Sequence, residues 1–242
     1  MPPEPGPTRS TMTEDYLKVI WKAEEWAAPG SPGITTNEIA ATLGVGASTV
    51  SGNLRKLERD GFIDYTPYRS IALSERGRHV AVGMVRRHRL IETYLVERLG
   101  YAWDEVHDEA EVLEHAVSDR LLEAFDVELG RPTADPHGDP IPQADGTVVR
   151  PVAHTLQEFV EGECGHVVRV SDDEPELLRY LGSLQLRVGA HVRVAERRDY
   201  AGSLRVELDD GTVDLAGPAA VAVWATRDEH GHAAAATASP PS

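Results

Sequence analysis

The stretch TTNEIAATLGVGASTVSGNLRKLERDGFIDYTPYRSIALS, residues 35–74, decides the fold of the N-terminal part of this chain. Thr35 and Glu38 have the spacing of a capping box, which predicts a short helix that ends before the GVGA turn. Ser48 is a favourable N-cap for a second helix, and Gly61 stops that helix. Its predicted buried side consists of Val50, Leu54 and Leu57. The alternating apolar residues that follow predict two short strands joined by a turn.

Helix, tight turn, helix and hairpin, in this order, are typical of a winged helix-turn-helix, whose second helix enters the major groove of DNA with its N-terminal end. The residues at this end are small or polar, which permits close approach and hydrogen bonding to phosphates or bases. Basic side chains on the second helix and in the hairpin would bind the phosphate backbone. The candidate DNA-binding residues are Ala47, Ser48, Thr49, Ser51, Gly52, Asn53, Arg55, Lys56 and Arg69. The alternative is a helical hairpin used only for packing, with its charges on a solvated face.

The composition is that of a globular protein with a strongly acidic balance. The 242 residues are 41% hydrophobic and carry a formal net charge of −16. Residues 1–78 hold nine Lys/Arg and ten Asp/Glu, so a locally basic face near the N-terminus is compatible with this total. The single cysteine, Cys164, excludes an internal disulfide framework and a cysteine-rich zinc site. No stretch resembles a membrane span or a signal peptide, so we expect a cytoplasmic protein.

Two long helices are predicted after the hairpin. Ser74 can cap the first, which carries His88 and Glu92 four residues apart on one face. The second is predicted to run from Asp104 to about Phe125. Both helices therefore carry side chains of the types that bind metals.

On the second helix these side chains form a stripe beside the apolar one, at ~100° per residue. The stripe consists of His107, Glu111, Glu114 and His115. Carboxylates at the edge of a core repel each other and resist desolvation unless a positive charge compensates them. A divalent cation provides this charge, and imidazole with carboxylate suits Mn²⁺, Fe²⁺, Co²⁺ or Zn²⁺. The pattern favours a metal site over a solvated acidic face, and we expect the metal-free carboxylates to repel each other.

Several segments have a family pattern: TEDYL at 13–17, the winged helix at 35–73, RRHRLIETYL at 86–95, VHDEAEVLEHAVSD at 106–119 and HGDPIP at 137–142. Together they resemble the diphtheria toxin repressor family of metal-dependent transcriptional regulators. The resemblance implies two metal sites in each subunit. The regulatory site would consist of Asp15, Glu111, Glu114 and His115. The ancillary site would consist of His88, Glu92 and His107, completed from the C-terminal domain by Glu174 or alternatively by Asp173 or Glu176.

The residues at two positions of the predicted regulatory site differ between iron-sensing and manganese-sensing members of this family. Iron-sensing members have Met at the position of Asp15 and Cys at the position of Glu111, whereas manganese-sensing members have Asp and Glu there. Hard oxygen ligands in place of sulfur suit Mn²⁺. Fe²⁺ accepts the same ligands and stays the alternative, with Co²⁺ or Zn²⁺ as substitutes. Lys18 stands where short manganese regulators have a ligating Glu, which favours two separate sites over a bridged pair of metals.

The C-terminal third has the pattern of a small β domain. Alternation in GHVVRV, AHVRVAE, LRVELDD and VAVWAT predicts short antiparallel strands, and PELLRYLGSL predicts a short helix. This part resembles the SH3-like barrel of the longer family members. Cys164 and His166 lie two apart in a strand, which favours packing over a ligand pair.

The predicted fold is mainly α with small β. Its predicted parts are a winged helix-turn-helix domain at 1–76, a helical metal-binding and dimerisation domain at 77–143, a linker at 144–151, an SH3-like domain at 152–227 and a disordered tail at 228–242.

These features predict a homodimeric repressor that binds a palindromic operator in double-stranded DNA when Mn²⁺ is bound. We expect no enzyme activity, no membrane partner and no small organic substrate. An iron-dependent repressor of the same family is the nearest alternative. A metallohydrolase would lack an evident nucleophile or general base outside the ligand set. A DNA-binding dimer without metal control would leave the carboxylate stripe unexplained.

Overall fold

The computed structural model describes residues 10–27, 31–66 and 70–228. Within these ranges the α-helices are α1 (Thr11–Glu25), α2 (Thr36–Thr42), α3 (Ala47–Arg59), α4 (Glu75–Leu99), α5 (Val106–Leu113), α6 (Asp119–Glu128), α7 (Pro175–Ser183) and α8 (Gly217–Val221). The strands are β1 (Ile63–Thr66), β2 (Ser70–Leu73), β3 (His154–Thr155), β4 (Cys164–Val170), β5 (His191–Arg198), β6 (Ser203–Leu208), β7 (Gly211–Ala216) and β8 (Val223–Arg227). Arg69 and, beyond Asp228, the predicted tail lie outside the described residues.

The described residues form two compact units. The first consists of the chain up to His88 together with 113–118 and 142–147. The second consists of 89–112, 119–141 and the chain from Val148 onwards. Helix α4 contributes its first half to one unit and its second half to the other. The domain boundaries derived from the sequence stay predictions.

The first unit contains the helix-turn-helix and its hairpin. Thr35 and Glu38 form the predicted capping box, in which the Thr35 hydroxyl accepts from the Glu38 N–H and the Glu38 carboxylate accepts from the Thr35 N–H. Helix α2 packs on α3, and β1 pairs antiparallel with β2. The fully buried side chains of this unit include Leu17, Ile20, Ile39, Val50 and Leu54. The predicted winged helix-turn-helix is confirmed.

The start of α3 differs from the prediction. Its N-cap residue is Gly46, whose carbonyl accepts the first helical hydrogen bond from the Val50 N–H at 3.1 Å. Ser48, predicted as the N-cap, therefore lies inside the first turn. The long helix α4 begins as predicted, because the Ser74 hydroxyl accepts from the Gly77 N–H at 3.0 Å.

The helix predicted from Asp104 to Phe125 is wrong as a single element. It is divided into α5 and α6 by the connection at 114–118. Within this connection the N–H groups of Ala116 and Val117 both donate to the Leu113 carbonyl at 2.9 Å, which closes a tight turn. A new helix starts at Asp119, whose negative charge favours a helix N-terminus. Two residues of the predicted stripe, Glu114 and His115, therefore lie in a turn and not on a continuous helix.

The second unit contains a six-stranded antiparallel sheet in the order β3-β8-β4-β5-β6-β7. Breaks in the pairing register of β4 with β8 and of β5 with β6 add curvature to this sheet. Its buried core includes Phe159, Leu181, Val192 and Val206. Strand β7 was missed, although Val213 and Leu215 alternate with the polar Thr212 and Asp214. Among the described residues, no helix combines the length and the apolar character needed to cross a membrane.

Candidate metal centres and nucleic-acid interface

The first candidate metal centre lies in the first unit, between α1 and the turn at 114–118. His115 Nε2 lies 2.8 Å from Asp15 Oδ1 and 3.6 Å from Glu114 Oε1. The ligand atoms of Asp15, Glu114 and His115 all lie within 4.8 Å of one another. Three of the four residues predicted for the regulatory site are thus brought together in one unit.

Glu114 is buried and has two partners within the chain. Its Oε1 accepts from Lys18 Nζ at 2.6 Å, and its Oε2 lies 2.6 Å from His88 Nδ1. None of these three residues is more than 4% exposed. The expected repulsion in the metal-free stripe is therefore wrong for Glu114, because a buried ammonium group compensates its charge. Sequence reasoning had treated Lys18 only as a residue that cannot bind a metal.

The donor set of this cluster suits a hard divalent cation. Asp15 and Glu114 offer carboxylate oxygens and His115 offers an imidazole nitrogen, without sulfur. The other ring nitrogen of His115, Nδ1, lies 3.0 Å from Glu14 Oε2. A carboxylate at the second nitrogen is the usual way to orient a metal-binding histidine. Glu14 is thus a candidate functional residue that sequence reasoning missed, although it directly precedes Asp15.

The second candidate metal centre lies in the second unit, around His107 of α5. His107 Nδ1 lies 3.4 Å from Glu92 Oε1 and 3.9 Å from Asp172 Oδ2. His107 Nε2 lies 3.5 Å from Glu111 Oε1. Glu92 and Asp172 are buried, whereas His107 and Glu111 are half-buried. Glu92 and His107, both predicted for the ancillary site, lie together, and Glu111, predicted for the regulatory site, contacts His107 within this unit.

Glu174 stays a prediction as an ancillary residue, because it is not among the potential ligands that the described residues bring together. Glu174 is exposed at the N-cap of α7, and Asp173 and Glu176 beside it are exposed as well. Glu174 starts a helix at the surface, whereas Asp172 follows the buried end of β4 and is itself buried. Asp172 is therefore the carboxylate of this segment that lies near His107. The remaining predicted ancillary residue, His88, belongs to the first unit, where it contacts Glu114.

His137 of the HGDPIP segment adds a buried imidazole to the second centre. Its Nε2 lies 2.7 Å from the Trp103 carbonyl oxygen, to which it donates, while its Nδ1 is buried with no hydrogen-bond partner among the described residues. Glu92, His137 and Asp172 offer ligand atoms within 4.8 Å of one another. Gly138 has φ +90°, and a Cβ there would lie 1.9 Å from the Val168 carbonyl oxygen, so only glycine allows this close approach. Sequence reasoning used this segment as a family pattern and assigned no role to His137.

Burial and negative charge around the second centre shift two pKa values. Burial raises the pKa of Asp135 to about 7, and the charges of Asp139 and Glu92 act in the same direction. Burial opposes the protonation of His137, but the carboxylates of Asp135, Glu92 and Asp172 raise the pKa of His137 overall. An excess of buried negative charge is what a bound divalent cation offsets. The residues present therefore fit a metal at this centre as well.

The candidate DNA-binding surface is the outer side of α3. Val50, Leu54 and Leu57 face the core. The predicted contact residues that are exposed are Ala47, Ser48, Thr49, Gly52, Arg55 and Lys56. A Cβ at Gly52 would meet no atom within 4 Å, so the helix surface is open at this position. The arrangement permits close approach of a flat or grooved partner.

Two predicted DNA-binding residues have partners within the protein. The Ser51 hydroxyl donates to the Ala47 carbonyl at 3.0 Å, and the Asn53 side-chain amide donates to the Tyr16 hydroxyl of α1 at 3.1 Å. Both side chains are half-buried. Asn53 therefore links the candidate DNA-binding helix to the helix that carries Asp15. Arg69, the predicted contact from the hairpin, lies outside the described residues.

The chain matches three known domains in the order of its structure. Residues 9–71 match the N-terminal DNA-binding domain of iron-dependent repressors. Residues 74–143 match the metal-binding and dimerisation domain of the same proteins, and residues 154–227 match the FeoA domain. The predicted fold class, with its winged helix-turn-helix, helical domain and SH3-like β domain, is thereby confirmed.

Relatives of similar length support the same conclusion. The iron-dependent repressor IdeR of Mycobacterium tuberculosis is 33% identical over 185 residues, which is 66% of this chain and 78% of the relative. The diphtheria toxin repressor of Corynebacterium diphtheriae is 30% identical over 200 residues, which is 76% of this chain and 84% of the relative. A solved manganese-dependent transcriptional repressor in complex with manganese is 50% identical with a TM-score of 0.84, covering 89% of this chain and 99% of that one. The chain therefore belongs to the diphtheria toxin repressor family of metal-dependent, DNA-binding transcriptional repressors.

Proposed function

We propose that this chain is a manganese-dependent repressor that acts as a homodimer on a palindromic operator in the cytoplasm. The observation that carries the proposal is the cluster of Asp15, Glu114 and His115, which offers only oxygen and nitrogen ligands. Such a set suits Mn²⁺ better than a set with sulfur does. The solved relative at 50% identity, which is described as manganese-dependent, supports the same metal. The match of 74–143 to a dimerisation domain supports two copies, whose two-fold symmetry a palindromic site would mirror.

The proposed metal ligands follow from the two centres. In the first unit they are Asp15, Glu114 and His115, with Glu14 orienting the imidazole. In the second unit they are Glu92, His107 and Asp172, with His137 as a further ligand. The assignments of Glu111 to the regulatory site and of His88 to the ancillary site rest on the family resemblance and stay predictions.

Helix α1 provides the connection between the first centre and DNA binding. Asp15 reaches His115, and the next residue, Tyr16, accepts a hydrogen bond from Asn53 of α3. A change in the position of α1 therefore acts on the candidate DNA-binding helix. A bound cation would supply the positive charge that holds the carboxylates of this centre together. Because metal and DNA then favour the same position of α1, each raises the affinity for the other.

Iron is the second candidate metal, because curated relatives at 33% identity are iron-dependent repressors. Both metals accept oxygen and nitrogen ligands, so a direct comparison decides between them. The metallohydrolase alternative is rejected, because the family consists of DNA-binding repressors.

The proposal is tested by measuring whether DNA binding depends on metal. The DNA is a duplex that the Mn²⁺-loaded protein selects from random sequences. Fluorescence anisotropy is measured with the metal-free protein and with Mn²⁺, anaerobic Fe²⁺, Co²⁺ and Zn²⁺ in turn. We expect Mn²⁺ to tighten binding about tenfold or more, within the range of typical allosteric couplings. Glu114→Gln should remove this response, whereas Glu109→Gln, an exposed residue of α5, should retain it. Equal binding with and without Mn²⁺ would refute metal control.

The DNA-binding surface is tested separately. Thr49→Glu places a negative charge at the exposed end of α3, where it meets phosphates directly, so operator binding should be lost. Ser183→Glu makes the same change of charge at an exposed residue of α7 and should leave binding intact. Manganese affinity of the free Thr49→Glu protein should stay near that of the unchanged protein. A parallel loss of metal binding would show that Thr49 has a structural role instead.

A further inference from the structure

The β domain brings together side chains of a different kind from the oxygen- and nitrogen-only sets of the two centres. Cys164 and His166 lie on the same face of β4, because side chains of a strand alternate between its two faces. His166 is paired directly with His191 of β5. Asp228 follows β8, the other neighbour of β4, and its N–H donates to the Cys164 carbonyl at 3.0 Å. Three adjacent strands thus bring a thiol, two imidazoles and a carboxylate to one place.

The strands meet closely at this place because of Gly165. A Cβ at this residue would lie 1.7 Å from the Thr226 carbonyl oxygen, so any larger residue would separate β4 from β8. Gly165 stands between Cys164 and His166 and therefore sets the approach of both side chains to Asp228. The positions of these side chains are therefore set by the paired backbone of the sheet and not by a loop.

The distances around Asp228 are slightly longer than those between two ligands of one ion. His191 Nε2 lies 3.6 Å from Asp228 Oδ2, and His166 Nδ1 lies 3.5 Å from Asp228 Oδ1. Both exceed a normal hydrogen-bond length, which is about 2.7–3.2 Å. Two nitrogen or oxygen ligands of a tetrahedral Zn²⁺, each about 2.0–2.1 Å from it, lie roughly 3.3 Å apart. The ligand atoms of Cys164, His191 and Asp228 all lie within 4.8 Å of one another, so a small movement brings them to one ion.

We infer that Cys164, His191 and Asp228 form a zinc-binding site on the β domain, and that His166, now 3.5 Å from the other carboxylate oxygen of Asp228, closes to a hydrogen bond that orients Asp228 when zinc binds. Thiolate, imidazole and carboxylate are all ligands that Zn²⁺ accepts in proteins. Three protein ligands leave the fourth tetrahedral position to water. Mn²⁺ gains least from a thiolate, so this site and the two carboxylate-rich centres would prefer different metals.

The surroundings are open to ion entry, but they do not by themselves favour a charged thiolate. The four side chains are partly exposed, so the place is open to solvent. Arg193, which lies opposite Cys164 on β5, is bound to Glu207 at 3.0 Å, so its charge is partly compensated. Burial and the neighbouring Asp228 raise the pKa of the Cys164 thiol. Zinc would have to displace the thiol proton, so the affinity of the site should rise with pH.

The single cysteine of the chain makes the test specific. The full-length protein is first saturated with Mn²⁺ and then titrated with Co²⁺, which substitutes for zinc and shows a sulfur-to-cobalt charge-transfer band when a thiolate binds it. We expect this band to appear with saturation and to disappear when Zn²⁺ is added. His191→Gln and Asp228→Asn should each weaken Co²⁺ binding about tenfold or more, and His166→Gln should weaken it by about 10- to 100-fold, as is usual for residues that orient a ligand.

The control is His154→Gln, a half-buried histidine of the same domain that lies beside Glu158 and outside the cluster. It should leave the band and the affinity unchanged. Circular dichroism of each variant checks that the β domain is folded. Absence of the band in the unchanged protein, or a band with equal affinity in His191→Gln, would overturn the inference. Both results are taken from a band that only a bound thiolate produces, so they leave the proposed repressor function to its own test.

Discussion

Lys18→Met tests whether the chain carries its own substitute for the metal charge. The Lys18 ammonium and the Glu114 carboxylate lie 2.6 Å apart, and their side chains are 5% and 0% exposed. Glu114 is also a proposed metal ligand. If the ammonium and the metal compete for this carboxylate, removal of the ammonium should weaken the metal-free fold and strengthen metal binding.

The expected magnitude follows from the burial of the pair. Removing one partner of a buried ion pair costs about 3–5 kcal/mol, because the other charge stays buried without compensation. His88 still contacts the second oxygen of Glu114 at 2.6 Å, and methionine retains the apolar stem, so we expect the lower end, ~3 kcal/mol. If the bound metal restores this energy in full, the Kd for Mn²⁺ falls by up to about 100-fold, at ~1.4 kcal/mol for each factor of ten.

Urea unfolding of the metal-free proteins measures the first effect, and calorimetric titration with Mn²⁺ measures the second. Lys22→Met is the matched control, since it removes the same charge one turn later on α1 at a less buried position. It should change both quantities much less. A Lys18→Met protein that is destabilised but binds Mn²⁺ no more tightly would refute competition for Glu114 and leave Lys18 with a structural role only.

Three further predictions concern other parts of the molecule. Glu111→Cys should shift the metal response in operator binding from Mn²⁺ towards Fe²⁺, Co²⁺ or Zn²⁺, since thiolate is a soft ligand; an unchanged preference would count against Glu111 as a ligand. Gly52→Ala should raise the free energy of unfolding by about 0.5–1 kcal/mol, because its Cβ meets nothing in the protein, yet it should weaken operator binding. Unweakened DNA binding would place Gly52 away from the DNA. The folded pKa of Asp135, about 7, lies above its ordinary value of 3.8, so metal-free stability should fall as pH rises between these values. Asp135→Asn should flatten the slope by up to ~1.4 kcal/mol per pH unit in denaturant unfolding from pH 5 to 7, and an unchanged slope would contradict the shift.

The sequence by itself determined those helices and strands of this protein that depend on interactions between neighbouring residues. The capping box of Thr35 with Glu38 and the cap at Ser74 were readable, because both ends of each interaction lie within three residues. The DNA-binding domain at 9–71 could be predicted from the sequence for the same reason. The apolar period of α3 and the adjacent hairpin involve neighbouring residues only.

The sequence predicted which types of residue form the metal centres, but not which other residues contact them. The Glu and His residues of 107–115 predicted metal binding, since such side chains at a core edge need compensation. That Lys18 provides compensation for Glu114 depends on a contact between residues 96 positions apart. No local pattern contains that information.

Only the tertiary structure decided which acid of the segment SDDEPE lies near His107. Asp172, Asp173, Glu174 and Glu176 are chemically alike in the sequence, but the end of β4 buries the first and the start of α7 exposes the others. The same holds for Cys164, which stood beside one histidine in the sequence and is joined by His191 and Asp228 through strand pairing. Residue chemistry is local and can be read from a sequence, whereas the meeting of distant residues depends on register and burial, which the whole fold sets.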